Sequence, residues 1–221
     1  MDLFVPEYEA VFRKNIIKVP QCINKAGGIE IFGKLIKSII FSTDVSVIRN
    51  CNADAVIAVY PFTPQPLITQ AVMLAAGIPV FCGVGGGITT GKRTVNIALH
   101  AEFQGAIGVV VNVPTSHNTL TLLKKTIDIP IVVTVASEKE DIASRLEAGA
   151  DIFNVSGGTE TAELVAKIRN AYPSVPIIAT GGQTDETIIK TIEAGANAIS
   201  WTPPTTAEIF KTYMTKYRKG L

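Results

Sequence analysis

The stretch Val175-Pro176-Ile177-Ile178-Ala179-Thr180-Gly181-Gly182-Gln183 is a β-branched run that halts at two glycines. It reads as a buried strand whose carboxyl end opens into a conformationally permissive loop. The polar group Thr184-Asp185-Glu186-Thr187 then starts an apolar-periodic segment that closes at Glu193-Ala194-Gly195-Ala196. A second β-branched run, Ile199-Ser200-Trp201-Thr202, follows. The unit predicted is strand, helix, strand.

Working outward, the same plan recurs through the chain. Eight short β-branched runs alternate with helix-length segments: Ser38 to Ser42, Ala55 to Tyr60, Val80 to Val84, Gly108 to Val113, Ile131 to Val135, Ile152 to Val155, Ile177 to Thr180 and Ala198 to Trp201. Two signatures alternate among them. The third, fifth and seventh runs open on an apolar-proline pair (Ile78-Pro79, Ile129-Pro130, Val175-Pro176), where the residue before proline is already extended and the missing N–H costs nothing. The even runs instead follow small-residue turns, Asn52-Ala53-Asp54, Gly105-Ala106-Ile107, Gly149-Ala150-Asp151 and Gly195-Ala196-Asn197. In these turns Gly or Asn can take the left-handed conformation that ends a helix.

Glu147-Ala148-Gly149-Ala150 and Glu193-Ala194-Gly195-Ala196 repeat two strand-helix units apart, as a duplicated supersecondary unit does. Eight evenly spaced units with right-handed crossovers close most economically into a single (β/α)8 TIM barrel over residues 38–221, and the even spacing argues against an open doubly wound sheet. Residues 1–37 are expected to form a helical segment covering one end. In it, Tyr8 to Phe12 is read as a short helix and Ile29 to Lys37 as a second after the Lys25-Ala26-Gly27-Gly28 turn.

The 221 residues, 47% hydrophobic with mean hydropathy +0.33, suit one domain with a large core. Twenty basic against nineteen acidic residues, with no long one-sign run, exclude a nucleic-acid footprint or a polybasic membrane patch. Cys22, Cys51 and Cys82 match neither a disulfide framework nor a zinc spacing. The amino terminus lacks the basic and apolar regions of a signal peptide, and every apolar run is broken before the ~20 residues a bilayer span needs. The expectation is therefore a cytoplasmic chain with no nucleic-acid or membrane partner, open to homo-oligomerisation, acting on a small molecule.

In a barrel of this kind the chemistry sits at the carboxyl ends of the strands. There the sequence places Asp44, Tyr60, Thr63, Cys82, Asn112, His117, Thr134, Ser137, Asn154, Ser156, Thr180, Gly181, Trp201 and Thr202. This set is rich in amides and hydroxyls and poor in charge, which suits a polar or phosphorylated organic ligand better than a metal cage. No metal is expected. Gly181-Gly182 before a helix offers backbone N–H groups to an anion, or serves only as a tight turn.

Residues 131 to 200, with Gly149-Ala150-Asp151, Gly181-Gly182 and Gly195-Ala196-Asn197, resemble the second half of phosphate-binding TIM barrels such as N-acetylmannosamine-6-phosphate 2-epimerase and thiazole synthase. The flavin-binding nitronate monooxygenases are similar over the same stretch, and the whole chain resembles small bacterial barrels labelled hydrolases. The resemblance implies phosphate contacts from the loops after strands seven and eight. The second of these departs from the pattern, because Trp201-Thr202-Pro203-Pro204 carries two prolines with no N–H to give. An anion there would rely on Thr202, Thr205 or Thr206, although Thr205-Thr206-Ala207-Glu208 is also a capping-box signature.

A second glycine cluster, Gly83 to Gly91 with Gly85 and Gly86 at its centre, is followed by Lys92 and Arg93. It approaches the P-loop pattern, but Arg93 replaces the Ser or Thr that would hold magnesium. It is read as a mobile lid bringing Lys92 or Arg93 to an anion, or as a solvated surface loop. Asp44 is the candidate general base or a helix cap, and His117 the matching acid or an exposed loop histidine. Cys82 is a candidate nucleophile or a small core residue. Asp54 and Asp151 lie at the wrong end for chemistry, and the strand ends lack a Schiff-base lysine.

These readings converge on an isomerase, epimerase or lyase acting on a phosphorylated or anionic metabolite. Asp44 and His117 would be catalytic, and Gly181, Gly182, Thr202, Thr205, Lys92, Gly85, Gly86, Asn112 and Asn154 would bind. The alternatives are an FMN-dependent oxidoreductase with Trp201 against the flavin ring, a hydrolase, and a barrel that binds a metabolite without chemistry.

Overall fold

The computed structural model describes Pro6, Tyr8 and residues 16–220. Two short antiparallel strands, β1 (Ile29–Ile31) and β2 (Lys34–Ile36), precede eight parallel ones: β3 (Ser38–Phe41), β4 (Ala55–Ala58), β5 (Val80–Gly85), β6 (Gly108–Val111), β7 (Ile131–Val135), β8 (Ile152–Val155), β9 (Ile177–Thr180) and β10 (Ala198–Trp201). The eight close into a ring in sequence order, β10 pairing with β3 through Ile199 opposite Ser38. Between and after them run α1 (Val45–Arg49), α2 (Pro66–Ala76), α3 (Gly91–Phe103), α4 (His117–Lys124), α5 (Ile142–Ala148), α6 (Thr161–Ala171), α7 (Asp185–Glu193) and α8 (Thr206–Arg218). This is a (β/α)8 barrel, and each of the eight predicted runs falls on one of its strands.

The alternating signatures have a physical basis at the amino ends of the strands. Pro79, Pro130 and Pro176 sit one residue ahead of β5, β7 and β9. Their carbonyls accept from Val56, Val109 and Phe153 N–H at 2.9, 2.9 and 3.0 Å, so each proline joins the ladder through the one group it retains. At the small-residue turns, Asp54 Oδ2 accepts from the Lys37 and Ser38 amides and the Ser38 hydroxyl, all at 2.9 Å. Asp151 Oδ2 accepts from Ile131 N–H at 3.0 Å, and Asn197 Oδ1 from Ile177 N–H at 2.9 Å. Three of the four repeats thus tie down the start of the preceding odd strand; the fourth has Ile107 in that place.

Strand alternation splits the apolar residues into two cores. One side packs against the helices and includes Ile40, Val56, Cys82, Val109, Val133, Phe153, Ile177 and Ile199. The other fills the ring with Ile39, Ile57, Phe81, Val110, Val132, Ile152 and Ile178. Each side chain of this size contributes about 1.5–3 kcal/mol by its burial.

The segment before the barrel differs from expectation. Ile29 to Ile36 forms a β-hairpin rather than a helix, preceded by a short 3-10 turn at Gln21–Lys25. The Phe32-Gly33 turn has φ of 49° and 74°, the doubly positive combination of a type I′ hairpin. Ile29 and Ile31 alternate with exposed Glu30, and with Ile36 they join the interior core and plug the floor of the barrel. Gly28 N–H donates to Asn197 O at 2.8 Å and fixes the hairpin beneath β10. The segment covers one end as expected, but as strands. Apart from Tyr8, the short helix expected over Tyr8 to Phe12 lies outside the described residues.

Candidate ligand site at the barrel mouth

Above the interior core the inward positions turn polar. Asn112 follows β6, Thr134 is the penultimate residue of β7, Asn154 lies in β8, Thr180 ends β9, and Ser200 and Thr202 come from β10 and the loop after it; these residues line a cavity of about 460 Å3. Phe41, Val59 and Tyr60 form its apolar and aromatic wall. Among the described residues, no carboxylate, histidine, lysine, arginine or cysteine lines it.

Asn112, Thr134 and Asn154 stand on adjacent strands and form a loose chain. The Thr134 hydroxyl donates to Asn112 Oδ1 and Asn154 Nδ2 donates to Thr134 Oγ1, both at 3.5 Å, the long limit for such bonds. Asn154 is only 9% exposed, and its Oδ1 is buried without a partner. A buried acceptor left unpaired costs about 1–3 kcal/mol, which a ligand bearing an N–H or O–H donor would recover.

A second chamber of about 520 Å3 adjoins the first and shares Thr180 and Thr202 with it. Its walls are Gly158 and Thr159 after β8, Gly181 and Gly182 after β9, and Thr187, Lys190 and Thr191 of α7. Lys190 is the one cation lining either chamber among the described residues, and its Nζ stands 4.0 Å from Glu163. The two glycines divide their duties. Gly181 N–H is spent on Ser200 O at 3.3 Å, and a Cβ there would meet Ile199 and Ile188 at 2.7 and 2.9 Å, so this glycine serves packing. Gly182 has φ +80°, and a Cβ would fall 2.5 Å from the Thr187 hydroxyl.

The remaining sequence candidates lie elsewhere. Asp44 caps α1, its Oδ1 accepting from Ser46 and Val47 N–H at 3.1 and 3.3 Å. Its Oδ2 accepts from Thr206 N–H at 3.1 Å and from the Thr206 hydroxyl at 2.5 Å. Burial alone would raise this carboxyl, but the Thr206 and Ser46 side chains and the Thr206 and Val47 amides outweigh it and hold the group far below the usual carboxylate range. A carboxylate so occupied makes a poor proton acceptor, and it lines neither chamber. His117 is exposed at the first position of α4. The nearby Asp141 carboxyl is lowered mainly by the Ser144 hydroxyl and amide. Thr205 is consumed by the capping box with Glu208.

In the glycine cluster that begins in β5, Gly85 and Gly86 are held in a packed turn, while Ile88 at the tip is exposed. Gly85 O accepts from Asn112 N–H at 3.0 Å, Gly86 N–H donates to Thr89 O at 3.0 Å, and the Thr94 hydroxyl donates to the same carbonyl at 2.9 Å. A Cβ on Gly86 would lie 2.6 Å from that of Asn112, and one on Gly85 would lie 2.4 Å from the Thr94 hydroxyl. Lys92 and Arg93 are exposed on the first turn of α3 and line neither chamber. Cys82 and Trp201 face the helix layer, and burial pushes the Cys82 thiol up to about 12.

Of the predicted binding residues, the structure brings Asn112 and Asn154 to the mouth, Gly181 and Gly182 to the second chamber, and Thr202 to both. Lys190 was missed, although Thr187, Lys190 and Thr191 share one helical face just after Gly182, a spacing legible in the sequence.

No protein-family model matches this sequence, and no curated protein does. Solved structures match by fold. A candidate phosphonomutase from Burkholderia cenocepacia J2315 superposes with TM-score 0.66 at 16% identity, over 96% of this chain and 97% of its own. A phosphonopyruvate hydrolase solved with oxalate and Mg++ gives 0.64 at 12% identity, over 86% and 85%. A mandelate oxidase complex gives 0.64 at 14% identity, over 80% and 68%. These likenesses establish the (β/α)8 barrel and leave the narrower resemblance to the epimerases and thiazole synthases an expectation.

Proposed function

We propose that the two chambers hold one small metabolite, its uncharged polar body in the barrel mouth and its phosphate or carboxylate group beside Gly182 and Lys190. The observation that carries this reading is the pair of contiguous cavities, one without charge and one with a single cation, joined through Thr180 and Thr202. The reaction class it supports best is isomerase, epimerase or lyase chemistry. The amides of Asn112 and Asn154 and the hydroxyl of Thr134 would stabilise an oxygen that gains charge in the transition state. Tyr60 brings a phenol hydroxyl to the mouth; it accepts from Gln65 N–H at 2.7 Å, which leaves its own proton to donate. Asp44 and His117 have no part in this version of the site.

Magnesium, present with oxalate in the phosphonopyruvate hydrolase, does not fit the donor set here. Mg2+ is usually held by one or two carboxylates, and among the described residues the cavity presents amides and hydroxyls alone. Flavin loses the ring contact assigned to Trp201, and a hydrolase meets the same shortage of a lining base, among the described residues, that any acid–base reading meets. A second reading, a barrel that binds its metabolite without chemistry, is favoured by the same lack of charge.

Thermal-shift measurements against sugar phosphates, the matching free sugars and inorganic phosphate test the reading. A phosphorylated ligand at a hundred times its Kd should add about 2.7 kcal/mol, roughly 5–10 °C for a chain of this size. The free sugar should add far less. Lys190→Ala should abolish the shift. Failure of every phosphorylated compound to stabilise the protein would overturn the proposal.

A further inference from the structure

The polar row in the uncharged chamber has a direction. Asn112, Thr134 and Asn154 come from three neighbouring strands of the ring, and a single hydroxyl joins the two amides. A hydroxyl holds one hydrogen, so Thr134, giving to one amide and taking from the other, engages one through its oxygen and the other through its nitrogen. The row runs from Asn154 Nδ2 through Thr134 Oγ1 to Asn112 Oδ1. What remains for the cavity is the NH2 group of Asn112 at one end and the oxygen of Asn154, buried and without a partner, at the other. Turning both amides over exchanges the two ends and leaves the same pair, one donor and one acceptor. Across the ring, β3 and β4 stand opposite β7 and β8. There Phe41, Ile57 and Val59 line the chamber with no polar side-chain atom.

We propose that the group held in the mouth is a cyclic amide, a lactam, imide or ureide ring, whose C=O accepts from Asn112 and whose N–H donates to Asn154. Two constraints select it. A carboxylate or phosphate offers acceptors alone and would set oxygen against the Asn154 oxygen, with no cation lining this chamber among the described residues to offset it. A sugar carrying hydroxyls around its whole rim would leave those on the side of Phe41, Ile57 and Val59 unpaired. A flat ring with its polar atoms along one edge meets both demands, its face lying on Phe41 and Val59. The assignment rests on the mouth's taking the uncharged body of the ligand, as proposed above. A phosphate-bearing arm would run past Thr180 and Thr202, the two residues common to both chambers.

Fragments that fill the mouth alone test the assignment separately from the anion chamber. Uracil and pyrrolidone, titrated into nitrogen-labelled full-length protein and followed by NMR, should move the side-chain amide signals of Asn112 and Asn154. Their N-methylated forms, which keep the carbonyls and lose the N–H, should bind about fivefold more weakly. Asn112→Asp, nearly the same in shape, replaces the donor by an acceptor and should weaken uracil about tenfold with an unchanged circular dichroism spectrum. Asn154→Leu should weaken it as much, and Lys190→Ala should leave both fragments bound as before. Binding of the cyclic amides without binding of any sugar phosphate would uphold the ring assignment and remove the anion reading. Binding of sugar phosphates with neither cyclic amide bound would overturn the ring assignment and spare the anion reading. N-methylated fragments that bind as tightly as their parents overturn it too, as does oxalate that moves the same two signals with equal affinity.

Discussion

Asn197 and Asn154 are the same residue type at opposite ends of the barrel, and they are treated in opposite ways. At the floor, Asn197 Oδ1 accepts from Ile177 N–H at 2.9 Å and from Arg169 Nη2 at 2.6 Å. Arg169 also donates to the carbonyls of Pro173, Val175 and Gly195. At the mouth, Asn154 Oδ1 has no partner, and its Nδ2 reaches Thr134 across 3.5 Å. The floor spends its polar groups on backbone, as Asp54 and Asp151 also do. The mouth holds polar groups in reserve. Polar groups with a complete set of bonds stabilise the fold, whereas buried polarity left incomplete marks where a ligand would finish the set.

The contrast can be broken most sharply at Asp54. Asp54→Ala removes the acceptor of the Lys37 and Ser38 amides, the second of them part-buried, and should cost about 1.5–2 kcal/mol in urea denaturation. A loss no larger than that from a substitution at Asn154 would erase the distinction.

Asp44 comes next, since it lies on the mouth side yet is fully bonded in the manner of the floor. Asp44→Ala should cost about 1–2 kcal/mol at neutral pH. The folded state holds this carboxyl below its ordinary value. Its contribution is therefore complete above about pH 4 and drains away as pH falls through the lowered folded value. Denaturation at descending pH should show the gap between wild type and Asp44→Ala closing below about pH 4. A gap that stays constant or widens would refute the assignment of an ionised cap.

The smallest expected effect on stability is at the mouth itself. Asn154→Leu, similar in volume and free of an unpaired acceptor, should shift the unfolding free energy by less than about 1 kcal/mol while removing the thermal shift given by a phosphorylated ligand. A loss of several kcal/mol would place Asn154 with the structural polar groups.

The architecture was legible because the strand-helix unit repeats and its punctuation follows from hydrogen-bond supply. Proline stands where only a carbonyl is needed, and Asp or Asn where an amide needs an acceptor. The hairpin at Ile29 to Ile36 was not legible. Its turn is Phe32-Gly33 rather than the Asn-Gly or Asp-Gly that signals type I′, and three-residue strands are too short to separate period two from a helical spacing. At the site, polar residues at strand ends could be read because the ring aims them inward. The fates of Asp44, Gly181 and Gly85 could not, because a cap, a ladder bond and a packing glycine look the same in sequence as a base and two anion donors. What separates them is the partner, and Thr206 lies far from Asp44 along the chain.

The hairpin plug has a consequence for the order in which the molecule is made. Gly28 is held by the Asn197 carbonyl, and β3 by β10, so the first strand of the ring acquires its outer neighbour from the last strand of the ring to leave the ribosome. Until residues 198–201 emerge, the nascent chain carries an open sheet edge and an apolar hairpin without a seat, a state prone to wrong pairing. Contacts of such long sequence separation slow folding. Synthesis from the amino end therefore leaves closure of the ring as the step that commits the protein, and the plug locks only when the circle is complete.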